Sequence, residues 1–231
     1  MRMVLGIATR RWEGHNQSWK LCVRNWQENA WLGSLPYCIV FDKDVVPAFQ
    51  QIYEETNEEI ICLMHDDLQI SEFGWDARVL ESFSDPMVGV VGFGGALGHG
   101  TPNLYQVHYH LPNLARQDFL SNMKDAEVHG KRFTGERDVA ILDGFALFLR
   151  RSILDTIGGW PVNQPVGYYM YSEWLCCEAR RQGYRIRLVG VACDHLGGKS
   201  SGFISPNENY ERAHRHFYEM NRDVMPFRVP E

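Results

Sequence analysis

The chain has 231 residues, 45% of them hydrophobic and 23% charged, with a formal net charge of −6 at pH 7. That is enough apolar material for one large α/β core, and the acidic balance excludes a general polyanion binder, since phosphate backbones attract positive surfaces. No apolar run reaches the roughly 18 residues that span a bilayer, and MRMVLGIATRRWEG lacks both a long h-region and a small-residue cleavage site, so a cytoplasmic chain without membrane association is expected.

Residues 3–9, MVLGIAT, are a short continuous apolar run and predict a strand. In NQSWKLCVRNWQENAWL (16–32), Trp19, Cys22, Val23 and Trp26 recur at helical spacing. The alternation repeats. LPYCIVFD (35–42) predicts a second strand, VVPAFQQIYEET (45–56) a helix, EEIICLMHD (58–66) a third strand, WDARVLESFSD (75–85) a helix and MVGVVGFGGA (87–96) a fourth strand. Such βαβαβ order with short connections implies a parallel sheet covered on both faces. Residues 1–96 therefore read as the nucleotide-binding half of a doubly wound sheet, with ligands at the carboxyl ends of the strands. His65, Asp66 and Asp67 fall at that edge, as does Asp42. A buried strand that stops on an imidazole and two carboxylates needs each charge solvated, paired or metal-bound.

From 97 to 137 no period is sustained, which predicts a long irregular segment. Its His99, His108 and His110 match no metal-motif spacing and read as solvated loop histidines. VAILDGFALFLRR (139–151) returns to strand character, and SILDTIGGW predicts a short helix capped by Ser152 and ended by Gly158 and Gly159. EWLCCEARRQGY (173–184) has helical spacing closed by Gly183, and RIRLVGVACDH (185–195) predicts a final strand ending on Asp194 and His195. The expected organisation is one domain over 1–231, with halves 1–96 and 97–205 and a charged, helical tail from 206 to 231. The six cysteines show no CxxC spacing and read as small buried hydrophobes in a reducing compartment.

Taken together and in order, LMHDDL (63–68), LDGFALFLRRSILDTIGGW (142–160) and EARRQGYRIRLVGVACDHLGGKSS (178–201) resemble glycosyltransferase family 2 and its relatives with the GT-A fold. The resemblance implies an α/β, Rossmann-like GT-A architecture: a mixed, mostly parallel sheet with helices on both faces. It implies metal-dependent, inverting transfer of a sugar from a nucleoside-diphosphate sugar, a UDP-sugar, to an acceptor hydroxyl. In the family a divalent cation, Mn²⁺ or Mg²⁺, neutralises the departing diphosphate. The matching positions make Asp67 the first metal ligand, with His65 beside it and His195 completing the shell. Thr9, Arg10, Asp42 and Asp66 match donor-side positions, Asp42 as acceptor for the imide N–H of uracil. Lys199 and Ser200, in a Gly-rich stretch, suit closure over the diphosphate.

The family supplies its base from an acidic pair before the helix that here begins near YSEWLCCEARR. Ser172 and Trp174 stand where acids are usual, so Glu173 is the first candidate base and Asp143, in LDGF, the second. Blander readings compete: a turn or cap for Asp66 and Asp67, a turn for Asp42, a helix N-terminal acid for Glu173. Trp160 and Trp174 suit stacking on a sugar or base, and Arg180, Arg181, Arg185 and Arg187 either attract a phosphorylated acceptor or form a solvated face. The acceptor is a glycan, a protein, a small molecule or a hydroxylated DNA base, with Tyr105, His108 and Tyr109 as candidate wall. The basic, aromatic ERAHRHFYEMNR keeps nucleic acid open. Two other functions remain: a nucleotide-sugar-binding module without transfer, suggested by the altered acidic pair, and a metal-dependent nucleotidyltransferase, which leaves LDGF and DHLGGKSS unexplained.

Overall fold

The computed structural model describes residues 1–10, 18–99, 116–164, 170–196, 208–225 and 227–229. The first half follows the sequence pattern closely: β1 (Met3–Thr9), α1 (Ser18–Glu28), β2 (Tyr37–Phe41), α2 (Val45–Glu55), β3 (Ile60–Met64) and, after a short β4 (Leu68–Ile70), α3 (Trp75–Ser82) and β5 (Val88–Gly92). All five residues of β3 are buried, as a strand covered on both faces requires, whereas edge strand β2 leaves Tyr37 exposed.

The remaining elements are β6 (Gly94–His99), β7 (Arg116–Ser121), α4 (Ala126–His129), β8 (Lys131–Arg132), β9 (Glu136–Asp138), β10 (Ile141–Leu142), β11 (Ala146–Arg150), α5 (Arg151–Ile157), α6 (Tyr171–Arg181), β12 (Arg185–Val189), β13 (Cys193–His195), α7 (Glu208–Met220) and β14 (Phe227–Arg228). The main sheet has the order β2-β1-β3-β11-β5-β12-β9. β1 pairs in parallel with β2 and β3, and β5 with β12, while β11 runs antiparallel between β3 and β5 and β9 antiparallel beside β12. The sheet is mixed and mostly parallel. A second sheet, β10-β6-β7-β8 with β14 on β6, and a two-stranded ribbon, β13-β4, complete the pairing.

Three expected strands are each divided. MVGVVGFGGA breaks after Gly92, so that β5 stays in the main sheet while β6 enters the second. VAILDGFALFLRR breaks at Asp143 and Gly144 into β10 and β11, and RIRLVGVACDH becomes β12 and β13. The stretch expected to be irregular carries β7, α4, β8 and β9 from Arg116 onward, since pairing to β6 and β12 supplies the order that a weak local period did not signal. Ser152 does not cap α5, which begins at Arg151; Gly158, at φ 79°, does end it.

The helices cover two separate apolar layers. One holds Phe49, Ile52, Leu175 and Phe217, with Trp160 and Trp174 packed at 5.5 Å. The other holds Trp26, Trp75, Phe83, Phe93 and Phe148. Among the described residues no helix is long and apolar enough to cross a membrane.

Candidate metal and donor site

Pairing between distant segments builds the site at the carboxyl edge of the sheet. His65 follows β3 directly, and its backbone N–H donates to the Phe145 carbonyl at 3.0 Å, which extends the β3–β11 pairing by one residue. Two residues on, Asp67 leads into β4. In the ribbon Leu68 stands opposite His195, and the Leu196 N–H donates to the Asp67 carbonyl at 3.0 Å. That register brings the carboxylate and the second imidazole together although His65 and His195 are 130 positions apart.

Helix α1 clamps the ribbon with side-chain bonds. The Trp26 indole N–H donates to the Leu68 carbonyl at 2.8 Å, the Asn25 amide donates to the Ile70 carbonyl at 3.0 Å, and Asn25 Oδ1 accepts from the Ile70 N–H at 2.7 Å. The Cys22 thiol donates to the Asp66 carbonyl at 3.1 Å.

His65 Nδ1 lies 3.2 Å from His195 Nε2, which lies 3.2 Å from Asp67 Oδ1. One ligand atom from each of His65, Asp67 and His195 falls within 4.8 Å of the others, a group able to hold a metal ion. The other nitrogen of His65, Nε2, is 2.9 Å from the Tyr171 hydroxyl at the start of α6. Gly144 makes that approach possible: a Cβ there would overlap the same hydroxyl. The Phe145 ring stacks on His195 at 5.1 Å and 22°.

Burial pushes the His65 imidazole below its usual value, and His195 pushes the same way against the charges of Asp67, Asp143 and Asp66. For His195 burial also favours the neutral form, but the Asp67 hydrogen bond and charge, helped by Asp143, raise it above the usual value. Asp67 answers in kind: burial raises it, and the His195 hydrogen bond and charge outweigh burial and lower it. The cluster thus contains a neutral imidazole and an ionised carboxylate, both forms in which these groups bind metals.

At the positions expected to face the donor, the Thr9 hydroxyl donates to Asp66 Oδ2 in a short bond that joins the ends of β1 and β3. The Asp42 N–H donates to the Thr9 carbonyl at 2.9 Å, and Asp42 takes φ 59°, a left-handed conformation that short polar side chains tolerate. Arg10 points to solvent and forms an exposed pair with Asp44 at 3.6 Å. Lys199, Ser200, Tyr105, His108, Tyr109 and His110 lie outside the described residues.

Of the two candidate bases, Asp143 sits at the break between β10 and β11, where its carboxylate accepts from the Phe145 N–H at 3.2 Å and its charge acts on both histidines. Glu173 is only 3% exposed and accepts from the Ser172 hydroxyl at 2.8 Å. Trp160 and Trp174 are buried in the core, which removes them as exposed stacking platforms. The four arginines are held internally: Arg180 by the Ala140 carbonyl and the Phe227 ring, Arg181 by Glu178 and Asp223, Arg185 by Asp85 and Asp138, Arg187 by Asp138 and Glu136. His99, expected in solvent, is buried and stacked on Tyr218. Sequence reasoning missed Tyr171. Its only signal was its place two residues before Glu173, in a helix whose facing strand break contains a glycine.

No protein-family model matches the chain, and no curated protein matches it by sequence. Solved structures do match it. The mannosyltransferase PcManGT from Pyrobaculum calidifontis, in complex with GDP-Man and Mn²⁺, aligns at TM-score 0.59 and 13% identity over 98% of this chain and 66% of its own. GalNAc-T7 with UDP, GalNAc and Mn²⁺ aligns at 0.61 and 8% identity over 96% and 50%. The fold is GT-A. S. aureus TarS 1–349, in complex with UDP-GlcNAc, agrees at TM-score 0.51 and 11% identity over 91% of this chain and 64% of its own. The chain spans between half and two thirds of these structures, and at such identities the likeness is one of GT-A fold.

Proposed function

We propose that this GT-A chain is a metal-dependent glycosyltransferase that moves a sugar from a nucleoside-diphosphate sugar to an acceptor hydroxyl. The observation that carries the reading is the His65, Asp67 and His195 group at the carboxyl edge of β3 and on the ribbon. Two imidazole nitrogens and one carboxylate oxygen are a mixed donor set, which suits Mn²⁺ better than Mg²⁺, an ion that prefers oxygen ligands and retains water. A bound cation supplies charge neutralisation for a leaving diphosphate.

The chain's own residues do the rest. A cation on the Nδ1 lone pair requires the His65 proton on Nε2, where the Tyr171 hydroxyl, 2.9 Å away, would accept it. Thr9 and Asp66 hold the ends of β1 and β3 in register beside the nucleoside position, where Asp42 recognises a uracil imide. Lys199 and Ser200 are assigned to the diphosphate, and Arg10 to a peripheral donor contact. Inversion needs a base for the acceptor hydroxyl. Asp143 is favoured, being half-buried and acting on both histidines, whereas Glu173 is nearly sealed from solvent. The domain reading is a single GT-A unit over 1–231 that acts away from membranes.

PcManGT was solved with a guanosine diphosphate sugar and the other two structures with uridine nucleotides, so the donor base is tested rather than assumed. Calorimetric titration of UDP, GDP, CDP and ADP with Mn²⁺ should show one clear preference, for UDP. Absence of binding by all four to folded protein overturns the function. Slow donor hydrolysis that disappears in Asp67→Ala supports the enzyme, and binding without any turnover supports a sugar-nucleotide-binding module. The anomeric configuration of the first product by NMR decides inversion.

A further inference from the structure

On the ribbon, side chains alternate between faces, so Gln69 and its cross-strand partner Asp194 lie on the face opposite Leu68 and His195. That second face borders a cleft of about 510 Å³, a size common for small-molecule sites, lined by Asn29, Gln69, Ser71, Asn122, Lys124 and Asp194 among others. Carboxamides and a hydroxyl predominate, and the Lys124–Asp194 pair at 3.6 Å cancels its own charge. Asn29 Oδ1 and the Gln69 carboxamide make no hydrogen bond to another described residue.

Two segments of the cleft wall lead, two residues on, to an exposed aromatic pair. Trp31 is 68% exposed and Phe73 61%, and their rings meet edge to face at 5.8 Å. Trp31 follows Asn29 by two residues and Phe73 follows Ser71 by two, and the Gly74 N–H donates to the Asn29 carbonyl at 2.7 Å, which joins the two segments. The fully buried Asp76 side chain accepts from the Trp31 N–H at 2.6 Å and the Leu32 N–H at 2.9 Å, which anchors the backbone of the loop that carries the indole.

We propose that this cleft and the Trp31–Phe73 pair joined to its wall through Asn29 and Ser71 form a carbohydrate-binding surface separate from the metal and donor site. Each sugar ring has an apolar C–H face that covers a flat aromatic ring and a rim of hydroxyls that both donate and accept, which is the hydrogen-bonding capacity of carboxamides. Nucleic acid fits poorly, because Arg132 is engaged by Glu127 and the cleft's remaining cation is paired with Asp194. A protein interface of hot-spot type fits less well, since the aromatic pair adjoins polar cleft-wall segments rather than the centre of an apolar patch.

The test uses the full chain in EDTA without nucleotide, so that the metal-dependent site stays silent and failure of one reading leaves the other standing. An array of gluco-, manno-, galacto-, xylo- and N-acetylglucosamine oligomers should show saturable binding to at least one series. Trp31→Ala should weaken it by about tenfold or more, the scale of losing one aromatic anchor, and Gln69→Ala several-fold, with UDP and Mn²⁺ binding unchanged in both. Gln69 is exposed and its truncation leaves packing intact, which guards against an unfolded Trp31 variant. No binding by any series, or equal binding by wild type and both variants, overturns the proposal. So does a chain that sediments as a dimer and becomes monomeric in Trp31→Ala with sugar binding unaltered, which would make the patch a contact between copies.

Discussion

In the proposed metal site one hydroxyl, that of Tyr171, orders side chains that come from other elements. It meets His65 Nε2 at 2.9 Å only because residue 144 has no Cβ, so the glycine of LDGF and the tyrosine of α6 act as one unit. Tyr171→Phe keeps the ring and removes the partner of His65 Nε2. Mn²⁺ affinity should fall by about 10–100-fold, the usual cost of losing such an outer partner, while circular dichroism is unchanged; an unaltered affinity in a Mn²⁺ titration contradicts this role. The base assignment is read at the same scale. Asp143→Asn should lower transfer by on the order of 10²–10⁴-fold, typical of a positioned general base, with nucleotide binding kept and metal binding weakened far less than transfer, through the charge lost beside both histidines. Glu173→Gln should retain most of its turnover. The reverse result moves the base to Glu173 and shows that the helix around Ser172 opens to admit an acceptor.

Among elements, the ribbon of β4 and β13 is the least self-sufficient and the most consequential. Two three-residue strands cannot hold themselves, and α1 holds them through Trp26, Asn25 and Cys22. Asn25→Ala leaves the Ile70 N–H without its partner, while the Ile70 carbonyl keeps the Asn29 amide at 3.1 Å. It should cost about 1–3 kcal/mol by urea denaturation and weaken Mn²⁺ binding as well, because Asp67 and His195 are fixed by the register of that ribbon. Loss of stability with metal affinity untouched would mean the ligands are positioned independently of α1. Helix α7 makes the opposite case: its aromatics Phe217 and Tyr218, attractive in sequence as a base-stacking tail, are buried against the second sheet, where Tyr218 stacks on His99.

For the whole molecule, the proposed metal site draws on both halves of the chain, so metal binding there would contribute to folding. An ion that binds the native state and not the unfolded one at 100 times its dissociation constant adds about 2.7 kcal/mol. Mn²⁺ should therefore raise the melting temperature of the wild-type chain in calorimetry. Asp67→Asn and His195→Ala should abolish that increment while their melting temperatures in EDTA stay near wild type, since both groups sit at a strand edge rather than in the core. An increment that survives in Asp67→Asn would place the cation elsewhere.

The sequence by itself determined what depends on neighbours a few residues away. The apolar run of residues 60–64 made β3 a covered strand, helical spacing located α1, α2 and α6, and the switch from Met64 to His65, Asp66 and Asp67 marked a strand end where charge needs a partner. Tertiary structure alone decided which strands pair. An apolar run has the same period whether it lies parallel or reversed, so nothing local in ALFLR announced that β11 runs antiparallel between β3 and β5, or that Gly92 and Gly144 divide runs between two sheets. Exposure followed the same rule. Trp160 and Trp174 looked like platforms and are core, while Trp31 is exposed on a loop whose backbone N–H donates to Asp76, 45 residues away, a partner no window of sequence contains.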